Sequence, residues 1–178
     1  MYIFIGKKKK KKKMIKTKKA IIVDIDGTLV FVGDRSYFDA SNAHKVDRPN
    51  FPVVELVQTY IDLGYFVFFI TGRTTGKDNG GAISTMKQLA SLFPDVNLAK
   101  HCSLYMRQDG DFRKDTLFKG EVFEKHINGK YDIAFALEDR DQMVEFYRNE
   151  LKIPCFQVNP DTGKKKKIDL SKVNKADL

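Results

Sequence analysis

The sequence predicts an α/β fold, in which a parallel sheet is covered by helices on both faces. Short runs of unbroken β-branched and aromatic residues recur along the chain, and amphipathic helical patterns lie between them. Strands that are apolar at every position are buried on both faces, as parallel strands between helical layers are. Ligands of such sheets bind beyond the carboxyl ends of the strands, so the residues that follow each strand are the candidates for function.

The first half of the chain supplies two strands and two helices. Residues 20–24 form a β-branched run that ends at an acid, and residues 29–38, which contain Gly-Asp, predict a small flap or hairpin. A helix begins at Pro52, which suits a first helical turn, and ends at Leu63-Gly64. The next predicted elements are a strand at 65–70, a Gly- and Thr-rich loop at 71–81 and a helix at 82–92.

The second half continues the alternation of strands and helices. The predicted strands cover residues 102–106, 133–137 and 154–158, and the predicted helices cover residues 113–127 and 142–151.

The net charge of +9 is concentrated at the two ends of the chain. Residues 1–20 hold ten lysines and no acid, and residues 164–178 hold six lysines and two acids, so residues 21–163 carry a net charge of −5. We therefore expect one folded domain at 20–160 between a disordered lysine-rich tail at 1–19 and a lysine-rich tail at 161–178.

Several classes of protein are disfavoured by the composition. Cys102 and Cys155 lie in apolar runs and have no metal-ligand spacing, which favours buried thiols over disulfides or zinc. No apolar stretch approaches the roughly 20 residues that span a bilayer, and the apolar start is too short for a signal peptide. We expect a cytoplasmic protein without a membrane partner.

The first chemical motif is Asp24-Ile25-Asp26-Gly27-Thr28, directly after a predicted strand. The carboxylate of Asp24 can attack phosphorus, and the carboxylate of Asp26 can transfer protons. Glycine permits the tight turn that brings both carboxylates to one phosphate. The alternative is an ordinary Asp-Gly turn.

The second motif is Thr71-Gly72-Arg73, after the next strand. A hydroxyl and a guanidinium suit phosphate oxygens, although Thr-Gly is also common in loops without function. The segment from Gly72 to Lys77 has one residue too few between its glycines for a P-loop, so no kinase site is predicted.

Two further motifs complete the set. In the basic stretch from Arg107 to Lys119, a lysine at a helix start can neutralise a phosphate, and the alternative is a solvated helix face. Glu138 and Asp139 follow an apolar strand and suit Mg²⁺, and the alternative is helix capping by Asp139.

In this order the four motifs resemble those of haloacid-dehalogenase-type (HAD) phosphatases, and more closely the 3′-phosphatase domain of phage-type polynucleotide kinase/phosphatase. The resemblance covers residues 20–159. It implies a HAD-like fold, Asp24 as nucleophile, Asp26 as acid/base and Thr71 as a phosphate ligand. It favours Lys119 as the phosphate-facing lysine, with Lys114 as second candidate.

The resemblance also implies binding residues and a cofactor. The implied substrate-binding residues are Arg35, Gly72, Arg73, Arg107, Arg113 and Asp115. The implied cofactor is Mg²⁺, with metal ligands Asp24, Asp26 through its backbone carbonyl, Glu138 and Asp139.

The expected activity is that of a Mg²⁺-dependent phosphatase that acts through an aspartyl-phosphate on nucleic-acid 3′-phosphate ends, DNA or RNA, in end repair. Only 46 residues separate Asp26 from Arg73, so we expect a capless, open site, and a separate kinase or ligase is an expected partner. The net charge of the body leaves a nucleotidase or another small-molecule phosphatase as an alternative. A non-catalytic nucleic-acid-binding module, anchored by its lysine tails, is a third interpretation.

Overall fold

The computed structural model describes residues 17–37 and 39–159. Its strands, in chain order, are β1 (Lys18–Val23), β2 (Val30–Phe31), β3 (Arg48–Pro49), β4 (Phe66–Thr74), β5 (Cys102–Arg107), β6 (Tyr131–Glu138) and β7 (Cys155–Gln157). Five of them form one parallel sheet in the order β5-β4-β1-β6-β7, while β2 and β3 pair as a small antiparallel flap.

The helices connect these strands. They are α1 (Ala43–Val46), α2 (Phe51–Asp62), α3 (Gly80–Leu92), α4 (Leu98–His101), α5 (Asp115–Val122) and α6 (Asp141–Glu145), with a 3₁₀ turn at Lys77–Asn79. Two of them, α5 and α6, continue as π-helical turns through Phe123–Ile127 and Phe146–Glu150.

Alternate residues of the central strand face two separate apolar cores. Ala20 and Ile22 of β1 pack in the core that includes α5 and α6, whereas Ile21 and Val23 pack in the core that includes α2. Side chains of a strand alternate between the faces of its sheet, so a strand that is apolar at every position needs a helical layer on each face. The predicted α/β fold class is confirmed.

The turn between α2 and β4 depends on a glycine. Gly64 has φ +82°, which residues with a side chain adopt at a cost, and it ends α2. Its N–H donates to the carbonyl of Ile61 at 2.9 Å, and the N–H of Tyr65 donates to the carbonyl of Tyr60 at 3.0 Å. This pair of bonds closes the helix and sends the chain into the sheet.

The structure moves several predicted boundaries. β1 begins at Lys18, two residues early, and the helix predicted at 113–127 begins at Asp115. The prediction of a loop at 71–81 is wrong at its start, because β4 continues to Thr74. Thr74 pairs with Arg107 of β5 after a shift in the register of the two strands. Local propensity does not predict this shift, because only the neighbouring strand makes the extra pairing available.

The flap takes its second strand from β3, beyond the predicted segment at 29–38. No separate cap domain interrupts the fold anywhere in residues 17–37 and 39–159. Among the helices of the described segments, none has the length and apolar character needed to cross a membrane. The predicted tails lie almost entirely outside the described residues.

Candidate active site

Polar residues from three adjacent strands meet at the carboxyl edge of the sheet. Asp24 follows β1, Thr71 lies in β4 and Glu138 ends β6, and these strands are neighbours in the sheet. The backbone N–H of Asp24 donates to the carbonyl of Leu137 at 3.0 Å, which extends the ladder to the site itself. The topology therefore brings together the first, second and fourth sequence motifs.

Glycine is required at position 27 of the first motif. Gly27 has φ +84°, and a Cβ built on it would lie 2.2 Å from Asp139 Oδ2. A side chain here would collide with the carboxylate of Asp139, so the turn after β1 and the acid after β6 can approach only across a glycine.

Lys119 of α5 joins two acids in a buried ion-pair group. Its Nζ donates to Asp24 Oδ1 at 2.6 Å and to Glu138 Oε2 at 2.7 Å. Burial and the neighbouring charge of Glu138 raise the pKa of Asp24 to about 7, although Lys119 acts against this shift. Burial disfavours the charged form of Lys119, but the two carboxylates outweigh burial and raise its pKa well above its ordinary value.

Asp139 completes what we call the nucleophile cluster (Asp24, Lys119, Glu138 and Asp139). One carboxylate oxygen from each of the three acids lies within 4.8 Å of the others. Asp139 Oδ1 is buried and accepts no hydrogen bond from the described residues. Burial and the charge of Asp24 raise the pKa of Asp139. Three carboxylates beside one ammonium fit a divalent cation, which prefers oxygen ligands.

Asp26 is held by two arginines. Arg73 donates to both of its carboxylate oxygens, from Nη2 at 2.6 Å and from Nε at 3.0 Å, and Arg35 Nη2 donates to Oδ1 at 2.6 Å. Arg35 comes from the flap and Arg73 from β4. Such bidentate contacts fix the orientation of a carboxylate.

A fourth residue, Asp47, binds the same two arginines, and we call this group the arginine clamp (Asp26, Arg35, Asp47 and Arg73). Asp47 Oδ2 accepts from Arg35 Nη2 and from Arg73 Nη2, each at 2.8 Å. Sequence reasoning missed Asp47, which stands alone between α1 and β3. No spacing to another motif marks it, since only the folded flap brings it to the site.

The structure gives Arg73 different partners from the predicted phosphate. Arg73 is 1% exposed. Besides Asp26 and Asp47, its guanidinium donates to Thr85 Oγ1 at 3.1 Å and to Gln88 Oε1 at 2.8 Å. All five N–H groups of its guanidinium thus donate hydrogen bonds within the protein, so the role of Arg73 in this structure is to orient Asp26.

Arg107, Asp115 and Arg140 form a second array at the rim. Asp115 pairs with both arginines, and its Oδ1 lies 3.2 Å from the position of a Cβ at Gly72. Arg107 stacks on the ring of Phe118 at 5.1 Å. Its buried Nη1 makes no hydrogen bond with the described residues but forms an ion pair with Asp111 Oδ1 at 3.5 Å. The side chain of Arg140 is 59% exposed. Two cationic groups thus border the site, and Arg140 was not predicted as a site residue.

The remaining predicted residues divide into one at the site and two outside it. Thr71 is buried beside Arg73, whose backbone N–H donates to its Oγ1 at 3.3 Å. Arg113 pairs with Asp111 and Glu121. Lys114 is exposed and borders a cavity of about 330 Å³ between α5 and α6. The structure therefore places Lys119 against Asp24, and neither Arg113 nor Lys114 contacts the nucleophile cluster.

The fold and these acids define a phosphatase of the HAD type. The family model for the polynucleotide kinase PNKP phosphatase domain matches residues 18–162. The chain belongs to this family, which confirms the resemblance drawn from the motifs. The chain is a phosphatase, and the interpretation as a non-catalytic binding module is therefore wrong.

Individual relatives agree with this family. A solved structure of the Pnkp1/Rnl/Hen1 RNA repair complex contains a chain with 38% identity and a TM-score of 0.71, over 80% of this chain and 43% of that one. A candidate bifunctional polynucleotide kinase/RNA ligase of Autographa californica nuclear polyhedrosis virus is 29% identical over 140 residues, which make up 78% of this chain and 19% of the relative. The chain thus spans less than half the length of these relatives.

A more distant structure shares the fold alone. The class C acid phosphatase of Bacillus anthracis has 17% identity and a TM-score of 0.51, over 83% of this chain and 69% of that one.

Proposed function

We propose that the chain is a Mg²⁺-dependent polynucleotide 3′-phosphatase that acts through an aspartyl-phosphate on Asp24. The observation that carries this proposal is the pairing of two carboxylates in different environments. Asp24 lies in a buried cluster with Lys119, and Asp26 is held by two arginines with its side chain 14% exposed. The ammonium of Lys119 favours the carboxylate form of Asp24, which is the form that attacks phosphorus. The arginines orient the partly exposed Asp26, which suits it to proton transfer.

The reaction has two steps. In the first, an oxygen of Asp24 forms a bond to phosphorus while the bond from phosphorus to the sugar oxygen breaks, and Asp26 gives its proton to that oxygen. In the second, Asp26 takes a proton from water, whose oxygen attacks phosphorus and releases Asp24. Lys119, Thr71 and Arg107 would stabilise the charge on the non-bridging oxygens.

The metal proposed for the site is Mg²⁺. Asp24, Glu138, Asp139 and the backbone carbonyl of Asp26 would hold it, and the unpartnered Asp139 Oδ1 supports this assignment. The ion supplies positive charge that reduces repulsion between the anionic nucleophile and the phosphate.

The substrate assignment rests on the relatives and on access to the site. The RNA repair complex and the viral kinase/ligase relative support a nucleic-acid end as the substrate and a separate kinase or ligase as a partner. The rim carries the exposed Arg140, and no cap domain covers it among the described residues. An uncovered site can receive the end of a polymer.

A nucleotidase is the second candidate. The net charge of −5 over residues 21–163 favours it, because a polynucleotide site usually presents excess positive charge.

The test compares matched oligonucleotides with a 3′- or a 5′-phosphate, together with a nucleoside 3′-monophosphate, in the presence of Mg²⁺. We expect phosphate release mainly from the 3′-phosphate oligonucleotide, and none with Asp24→Asn. Release from the mononucleotide alone would favour the nucleotidase. Release that survives Asp24→Asn would refute the nucleophile.

A further inference from the structure

We propose that Asp47 is a positioning residue for proton transfer: it fixes Arg35 and Arg73 in the orientation in which both hold the carboxylate of Asp26. This inference rests on the proposed role of Asp26 as acid and base. Asp47 itself is too deeply buried to touch substrate, since its side chain is 0% exposed.

The contacts of Asp47 come from three different parts of the chain. Oδ1 accepts from the backbone N–H of Gly33 at 3.1 Å and from Arg35 Nε at 2.7 Å. Oδ2 accepts from Arg35 Nη2 and from Arg73 Nη2 at 2.8 Å, and from Gln88 Nε2 at 3.3 Å. Flap, β4 and α3 are therefore joined at one carboxylate.

The charge of Asp47 is needed as well as its shape. Burial opposes ionisation, but the bonds from Arg35 and Gly33 outweigh it and hold the pKa of Asp47 below its ordinary value. Once Asp26 has given up its proton, Asp26 and Asp47 together balance the two guanidinium groups. Without the charge of Asp47, two buried cations would share Asp26 alone, at a considerable cost in free energy.

The geometry explains why this balance affects catalysis. Arg35 Nη2 and Arg73 Nη2 each bind Asp26 Oδ1 at 2.6 Å and also bind Asp47 Oδ2. Each of these groups therefore bridges the two carboxylates. If Asp47 releases the arginines, the orientation of Asp26 is no longer fixed, and its proton is no longer directed at the leaving oxygen.

A change of leaving group separates this role from general damage to the site. The sugar oxygen must receive a proton when its bond to phosphorus breaks, whereas p-nitrophenolate is stable enough to leave without one. Both substrates pass through the same attack by Asp24. A residue that positions the acid therefore matters for the oligonucleotide and much less for p-nitrophenyl phosphate.

The experiment measures the first step in a single turnover, as oligonucleotide 3′-hydroxyl formed or as p-nitrophenol released, for wild type and Asp47→Asn. We expect Asp47→Asn to slow the oligonucleotide reaction by roughly 10²-fold and the p-nitrophenyl reaction by less than about 3-fold. The matched control is Asp34→Asn, the same change at an exposed acid of the flap segment, and we expect both rates to stay at the wild-type value.

Each outcome is decisive. Equal losses on the two substrates, or no loss on either, would overturn the proposal. If Asp47→Asn does not fold, Asp47→Glu, which keeps the charge but displaces it by one methylene, should show the same selectivity. If wild type releases p-nitrophenol but leaves the oligonucleotide intact, the substrate assignment is wrong. Glycerol phosphate, whose alcohol also needs a proton, then replaces the oligonucleotide in the same comparison.

Discussion

The nucleophile cluster and the arginine clamp lie beside each other but differ in charge balance. The clamp sets two carboxylates against two guanidinium groups, and every N–H of Arg73 has an acceptor. The nucleophile cluster sets three carboxylates against one ammonium, and Asp139 Oδ1 is left without a donor among the described residues.

This difference indicates where a cation belongs. A neutral, fully bonded group is stable as it stands and gains little from an added ion. A buried group with excess negative charge is stabilised by a cation. Burial, together with the charge of Glu138, raises the pKa of Asp24 and so disfavours its ionised form when no cation is added. We therefore expect the clamp to act as a rigid support and the cluster to respond to metal, phosphate and pH.

The largest expected effect comes from the only ammonium in the cluster. Lys119→Met leaves Asp24 and Glu138 without their cation, and we expect kcat for 3′-phosphate release to fall by roughly 10³-fold. Lys114→Met is the matched control, because Lys114 is exposed at the start of the same helix. We expect steady-state rates of Lys114→Met to stay within about 2-fold of wild type. Equal losses in the two variants would contradict the placement of Lys119.

The next effect concerns metal binding by the cluster. Asp139→Asn keeps the shape of the side chain but removes its charge, so we expect roughly 10²-fold lower kcat and a higher Mg²⁺ concentration for half-maximal activity. A Mg²⁺ titration of activity checks both. An unchanged midpoint would show that Asp139 is not a metal ligand.

A smaller effect is expected at the edge of the clamp. Gln88→Ala removes the contacts of its side chain to Arg73, Asp47 and the carbonyl of Ala43, but leaves the charges balanced. We expect kcat to fall by less than about 10-fold with an unchanged Mg²⁺ midpoint. A shifted midpoint would show that the two groups are coupled more strongly than their contacts suggest.

The smallest effect concerns stability. The pKa of Asp24 rises from 3.8 to about 7 on folding. Between pH 3.8 and about pH 7, the folded protein without metal therefore binds more protons than the unfolded chain does. Its stability falls as the pH rises through this range. Mg²⁺ should offset this loss by a few °C in Tm at about pH 7.5 and by less at about pH 5. Melting curves with Mg²⁺ or with chelator test this, and an equal effect at both pH values would contradict it.

Sequence patterns predicted the residues of the nucleophile cluster but not how they pair. Asp24, Glu138 and Asp139 follow strands whose apolar runs are unmistakable, so their meeting at one edge follows from parallel topology. Which of Lys114 and Lys119 contacts Asp24 depends on where each lysine lies relative to α5. Lys119 lies with Phe118 and Val122 on the buried face of α5, whereas Lys114 precedes its first turn.

The arginine clamp was predicted only in part. Arg73 was identified from a motif and Arg35 from the family resemblance, but their role as donors to Asp26 was not predicted, and Asp47 was not identified at all. A buried carboxylate in a flap has no periodic pattern, because its environment comes from β4 and α3, which lie far along the chain.

By itself the sequence determined the α/β class, the order of the sheet strands and main helices along the chain, and the acids at the carboxyl ends of β1 and β6. These features depend on local periodicity and on the direction of parallel strands, both of which are written in consecutive residues. The tertiary structure alone decided the partners of each charge. Pairing depends on which distant side chains share a buried space, and the cost of burying an unpaired charge selects among arrangements that the sequence leaves open.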